Sequence, residues 1–211
     1  MVRNQVLRLA GALLLSVTAY PLTASATVIA PVSVVNGQGL VDNLINASGL
    51  SGVGPILDQI HDYDSLGGDT SWATAETSLP FNIDFDLGGL FDLTNVHIWN
   101  YSHVPFYVGR DTKDINLFLS TDGQNWGSAT SVALTQNASP AESVQNFALT
   151  GAAQYVRLQV VTPWGCAWAG CETGLGEVRF TTSTVIPEPS AYLLFALGLA
   201  GLGWTRDRRS K

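Results

Sequence analysis

The clearest order in the chain is an alternation of apolar and polar residues with a period of two. Phe81, Ile83, Phe85 and Leu87 alternate with Asn82, Asp84 and Asp86, which predicts a strand with one buried face and one wet face. Val96 and Ile98 alternate again, and Ile115, Leu117 and Leu119 predict a third strand. Val156, Leu158 and Val160 alternate with Tyr155, Arg157 and Gln159, and Val178 with Phe180 predicts a closing strand. Thr27 to Val35 is apolar and β-branched and starts the domain. Asn36 to Ser71 is rich in Gly, Ser and Asp and reads as loops, with one short helix near Pro55 to Ile60. Thr121-Asp122-Gly123-Gln124-Asn125 predicts a hairpin turn. Many short strands, with no long helical period and no internal repeat, predict an all-β antiparallel β-sandwich.

The two ends break this pattern. Arg3 and Arg8 flank the start of a mostly apolar run, Leu9 to Ala19, and Ala24-Ser25-Ala26 is a small-x-small cleavage site. This predicts a signal peptide over residues 1–26, cut after Ala26. No Arg-Arg pair is present there, so the general secretory route is expected. An uncleaved anchor helix is the rival, but the run is short for a membrane span. At the other end, Pro187-Glu188-Pro189 precedes an apolar run from Ala191 to Trp204 and the basic cluster Arg206 to Lys211. As a helix that run would cover roughly 21 Å, against a bilayer core of about 30 Å. It predicts a weak anchor, with basic residues that hold the terminus in the cytoplasm.

The 211 residues, less both ends, fit one domain over 27–182 and a tail over 183–211. Charge within that domain is one-sided: Arg110, Lys113, Arg157 and Arg179 stand against fifteen Asp and Glu. Nucleic acid is thereby excluded as a partner, because phosphates require facing cations. Cations, neutral sugars or a basic partner fit, and so does acid that serves only solubility. Cys166 and Cys171 are the only cysteines, in a chain read as exported, and a disulfide is the natural reading. It would rigidify Ala167-Trp168-Ala169-Gly170 between them. No G-x-S-x-G, H-E-x-x-H or G-x-x-x-x-G-K-[ST] occurs. His61 sits beside Asp62, and Asp62, Asp64, Asp84 and Asp86 could form carboxylate pairs of the kind glycosidases use. Yet Asp84 and Asp86 fall on the wet face of an edge-like strand, where solvated acids are expected, so no enzyme is predicted.

Two resemblances follow from the residues. Val185-Ile186-Pro187-Glu188-Pro189-Ser190, then Leu193-Leu194, then Gly198-Leu199-Ala200-Gly201-Leu202-Gly203 and arginines resemble the PEP-CTERM sorting signal of Gram-negative bacteria. That resemblance implies recognition by an exosortase, transient anchoring in the inner membrane through the C-terminal helix, and release to the cell surface or extracellular matrix. Asp207 and Trp204 depart from the usual pattern. Within the domain, Ile83-Asp84-Phe85-Asp86-Leu87-Gly88 resembles the "I-x-F-D-L-G" strand of discoidin (F5/8 type C) domains. Ser120-Thr121-Asp122-Gly123 through Trp126 resembles their "S-x-D-G-x-x-W" hairpin, and Asp69-Thr70-Ser71-Trp72 their "D-x-x-T-x-W" loop. Val96 to Tyr101, Tyr155 to Leu158 and Gly174 to Phe180 resemble further strands of the family. The resemblance implies a galactose-binding-like jelly roll, many of whose members bind glycans while others bind lipids or proteins.

It also implies a structural Ca²⁺ between the "D…T-x-W" loop and the Glu of the last strand. On this chain that points to Asp62 or Asp64, Asp69, Thr70 and Glu177, an oxygen set that suits Ca²⁺. Ser65-Leu66-Gly67-Gly68 looks like an insertion in that loop. The alternative is a solvated acidic turn, with Glu177 bonded to backbone. For a sugar, His103, Tyr107, Arg110 and Trp168 could supply an aromatic platform and planar donors, provided the fold brings both loops to one end. Otherwise the aromatics plug that end and Arg110 pairs with Asp111 or Asp114. The reading is a non-catalytic surface or matrix protein that binds carbohydrate, with exopolysaccharide as candidate ligand. Its alternative is an adhesive matrix protein that binds a protein partner and no glycan.

Overall fold

The computed structural model describes residues 25–37, 39–62, 70–74, 79–101, 109–136, 142–165 and 172–184. Ten strands follow in order. They are β1 (Ser25–Ile29), β2 (Ser33–Asn36), β3 (Leu50–Ser51), β4 (Ile60–His61), β5 (Trp72–Thr74), β6 (Phe81–Asn100), β7 (Thr112–Ser120), β8 (Thr130–Ala133), β9 (Gln145–Pro163) and β10 (Thr173–Thr184). The predicted helix near Pro55 is a single 3₁₀ turn, Ile56–Asp58. The predicted strand Thr27 to Val35 is two strands, β1 and β2, which pair with different partners.

The main sheet runs β1-β10-β6-β9-β7-β8, with every named pairing antiparallel. Two long strands make it a sandwich. The first half of β6 (81–86) pairs with the second half of β9 (155–160). The second half of β6 then pairs with β10 and with the start of β9. Between the halves the register shifts after Asp86, where Gly88 takes a φ of +78°. A bulge of this kind bends a strand and lets it serve two layers. Sequence alternation saw Phe81–Leu87 and Val96–Ile98 as separate strands because the bulge interrupts the period of two.

The core lies between the layers. Ile83, Phe85, Val156, Leu158, Val160, Ile115 and Leu117 face Val96, Ile98, Val178 and Phe180, and all are buried. Phe85 and Phe180 meet edge to face across it, with ring centroids 6.1 Å apart, a favoured aromatic geometry. The predicted hairpin forms between β7 and β8. Asp122 closes it by accepting from the N–H groups of Gln124 (2.9 Å) and Asn125 (2.8 Å). Those bonds, the Asn125 backbone first, hold the Asp122 carboxyl well below its ordinary range.

Asp84 corrects the sequence reading. Its strand is central, not an edge, and Asp84 is only 6 % exposed. Its carboxylate takes a two-pronged contact from Arg157, Nε at 2.7 Å and Nη2 at 2.8 Å. Trp126 lies over that guanidinium, 4.1 Å from its central carbon to the ring centroid. The hairpin tryptophan therefore covers an ion pair that joins β6 to β9, and Asp84 is structural.

Candidate functional site

Two connections cross between the layers at the same end of the sandwich. One leaves β6 after Asn100 and enters β7 at Thr112; the other leaves β9 after Pro163 and enters β10 at Thr173. Backbone bonds tie them together. Trp164 N–H donates to Asp111 O (2.9 Å), Gly165 N–H to Gly109 O (2.9 Å) and Gly174 N–H to Arg110 O (2.8 Å). At the crossing a Cβ on Gly109 would lie 3.2 Å from Gly165 Cα, and Gly109 has a φ of +100°. Only glycine allows both the approach and the dihedral. The described ends of the two connections, 109–111 and 164–165, thus lie side by side.

Beneath them the base is rigid. Asn100 is fully buried, and its amide donates to Thr112 O (2.9 Å) and Thr135 O (3.0 Å). Its carbonyl accepts from the Tyr101 and Thr112 N–H groups. Every part of that side chain is committed, which links β6, β7 and the loop after β8. Thr112 Oγ1 bonds to Thr173 Oγ1 at 2.7 Å and donates to Gly174 O at 2.9 Å. Gln145 grips the Thr135 backbone from both sides and donates to Glu142 Oε1 at 2.9 Å. Burial, reinforced by the Asp111 charge and opposed by the Gln145 bond, pushes the Glu142 carboxyl up to about 7.

Of the four residues predicted to touch a sugar, His103, Tyr107 and Trp168 lie outside the described residues, as do Cys166 and Cys171. Arg110 is described. It forms an ion pair with Glu172. The sequence offered no sign of that partner, because Glu172 follows the second loop and meets Arg110 only when the loops cross. Trp164 is 38 % exposed, donates Nε1–H to Leu134 O at 3.1 Å and carries Lys113 Nζ 5.2 Å above its ring.

The predicted metal residues sit around a second cluster. Glu177 is fully buried on β10, where Oε2 accepts from the Ala47 N–H at 3.0 Å and Oε1 pairs with Arg179. Burial pushes Glu177 up, to about 8, and Arg179 down, while their mutual attraction opposes both shifts. Thr70 is partly buried beside Gly49, and the Asp62 N–H donates to Gly49 O at 2.7 Å with its side chain exposed. Asp64 and Asp69 lie outside the described residues. Glu177 and Thr70 are hard oxygen donors of the kind Ca²⁺ accepts. Among the described residues no three His, Cys, Asp or Glu side chains converge as a metal cage. His61 Nδ1 lies 3.0 Å from the Asp62 carbonyl oxygen, to which it is hydrogen-bonded, while the Asp62 side chain is exposed. The His61 ring lies between Gly49 and Gly176, where added Cβ atoms would come within 2.6 and 2.8 Å. Burial lowers its pKa.

The family of the F5/8 type C domain matches residues 45–173, and the PEP-CTERM protein-sorting motif matches residues 185–209. No curated protein matches the chain. Among solved structures, the family 32 carbohydrate-binding module of a Clostridium perfringens protein, in complex with galactose, is 10% identical. It covers 74% of this chain and 92% of its own, with a TM-score of 0.44. A second such module, from a family 31 glycoside hydrolase of Clostridium perfringens, is 16% identical and covers 74% and 90%, with a TM-score of 0.47. The C-terminal domain of a chitobiase from Bacteroides fragilis is 18% identical and covers 53% and 72%, with a TM-score of 0.42.

Proposed function

We propose that this chain, which belongs to the F5/8 type C domain family, is an exported, non-catalytic surface or matrix protein whose sandwich binds carbohydrate through the paired loops at one end. The observation that carries this is the backbone crossing of 109–111 with 164–165 and 174. It brings together the described ends of the two connections whose sequences carry His103, Tyr107, Arg110 and Trp168, beside a hydrogen-bonded base at Asn100 and Thr112. A rigid base under loops of this chemistry is what a sugar site requires. The PEP-CTERM motif at 185–209 gives the context. The chain is sorted by an exosortase at the inner membrane of a Gram-negative bacterium and delivered to the cell surface or matrix, where exopolysaccharide is the ligand at hand.

His103→Ala and Trp168→Ala are expected to weaken retention on polysaccharide at least about tenfold, the cost of about 1.4 kcal/mol, with melting unchanged. Affinity electrophoresis beside a thermal melt checks this. Retention unchanged in both variants, or lost only together with the fold, would reject the loop end as the site.

A Ca²⁺ held by Glu177 and Thr70, with Asp62, Asp64 or Asp69, belongs to the same proposal. It would supply structural rigidity by neutralising a buried carboxylate and fixing the loop before β5. Millimolar Ca²⁺ is expected to raise Tm by several degrees, and Glu177→Gln to abolish that increment. The increment is the informative quantity, because breaking the pair with Arg179 lowers the starting Tm in any case. No rise in the wild type would sink the metal.

A further inference from the structure

We infer that Glu172 sets the ligand class of the loop end by masking Arg110, so that the site accepts neutral sugars and rejects anionic ones. This rests on the carbohydrate reading above and sharpens it. An arginine at a sugar site ordinarily attracts carboxylates and sulfates, because its planar fork matches them. Here Nη2 of that fork is held by the Glu172 carboxylate. Arg110 and Glu172 form an ion pair with both side chains largely withdrawn from water, 22 % and 26 % exposed. Glu172 lies at the exit of the second loop, and Arg110 is bonded through its carbonyl to Gly174 two residues later. The pair is therefore held by the loop crossing.

The surrounding charges point the same way. The buried Asp111 lies at this end, and Asp114 accepts a hydrogen bond from Thr162. Against these three acids, Glu172 included, the described cations are Arg110 and Lys113, and Lys113 is engaged over Trp164. An incoming uronate or sulfate would meet Glu172 at close range in a part-desolvated site, where like charges repel strongly. A neutral sugar meets no such penalty, and the paired Arg110 and Glu172 still offer it donors and acceptors.

Affinity electrophoresis of the full exported chain tests this. The probes are neutral galactan, galactomannan and xyloglucan, and anionic polygalacturonate and alginate. The wild type is expected to be retarded by at least one neutral polymer and by neither anionic one, with little dependence on salt. Glu172→Gln is expected to raise the ratio of anionic to neutral retention about tenfold or more. That gain should disappear in 0.5 M salt and in the Arg110→Gln, Glu172→Gln double variant. Wild-type retention by an anionic polymer would overturn the inference while leaving the carbohydrate reading intact. So would a folded Glu172→Gln protein with an unchanged ratio. Wild-type retention by none of the five polymers would count against the carbohydrate reading itself, and the inference would fall with it. The wild-type panel decides the matter even if the variant does not fold.

Discussion

Glu142 is the residue whose chemistry is set most by its place. Its backbone exchanges hydrogen bonds with His61 (2.9 and 3.0 Å), and its side chain is 7 % exposed. Burial keeps the carboxyl protonated up to about pH 7, whereas its ordinary value is 4.5. The folded state therefore binds more protons between those values, and stability falls as pH rises through that window. The contribution at stake is roughly 3 kcal/mol. Glu177, raised to about 8 by burial, acts in the same direction. The comparison that isolates Glu142 is thus wild type against Glu142→Gln, melted between pH 4.5 and 8. The variant's profile is expected to be flatter. Parallel profiles would show that Glu142 does not titrate in this range.

At the scale of elements, the bent strands β6 and β9 carry the architecture, and the Asp84–Arg157 pair under Trp126 pins their first layer. Asp84→Ala would leave Arg157 without its partner and is expected to cost about 2 kcal/mol. The exposed Asp92 on the same strand is expected to cost under about 0.5 kcal/mol when changed to Ala. Urea denaturation compares them, and equal midpoints would contradict the structural role of Asp84. The strand faces were legible in the sequence because each has a local period of two. Ile83, Phe85, Val156 and Leu158 were all read as buried, and all are. The hairpin was legible too, because Asp122 and Gly123 act on their own neighbours. What remained hidden was non-local. Alternation marked Asp84 as wet, and only pairing with a residue 73 positions away covers it. For Arg110 the local sequence offered a sugar contact or the neighbouring Asp111 and Asp114, and the partner Glu172, 62 positions away, meets it only through the crossing of the two connections.

The molecule as a whole is polarised. The described ends of the two connections, 109–111 and 164–165, meet at the start of β10, where Gly174 donates to Arg110 O. The chain leaves β10 at its other end, where Thr184 pairs with Ser25 on β1. Twelve residues of strand separate these points, roughly 40 Å at about 3.3 Å each. The PEP-CTERM motif, residues 185–209, follows in sequence the end of β10 that lies away from the crossing at Gly174. The expected cleavage after Ala26 would leave Thr27, Val28 and Ile29 paired with Thr182, Thr181 and Phe180, so β1 keeps most of its ladder. The central claim is tested by retaining the purified exported chain on the extracellular polysaccharide of its producing bacterium, with Ca²⁺ present. Saturable retention, released by a competing free sugar, is the expected result. A folded protein that passes through unretained would contradict carbohydrate binding and direct attention to a protein partner in the envelope.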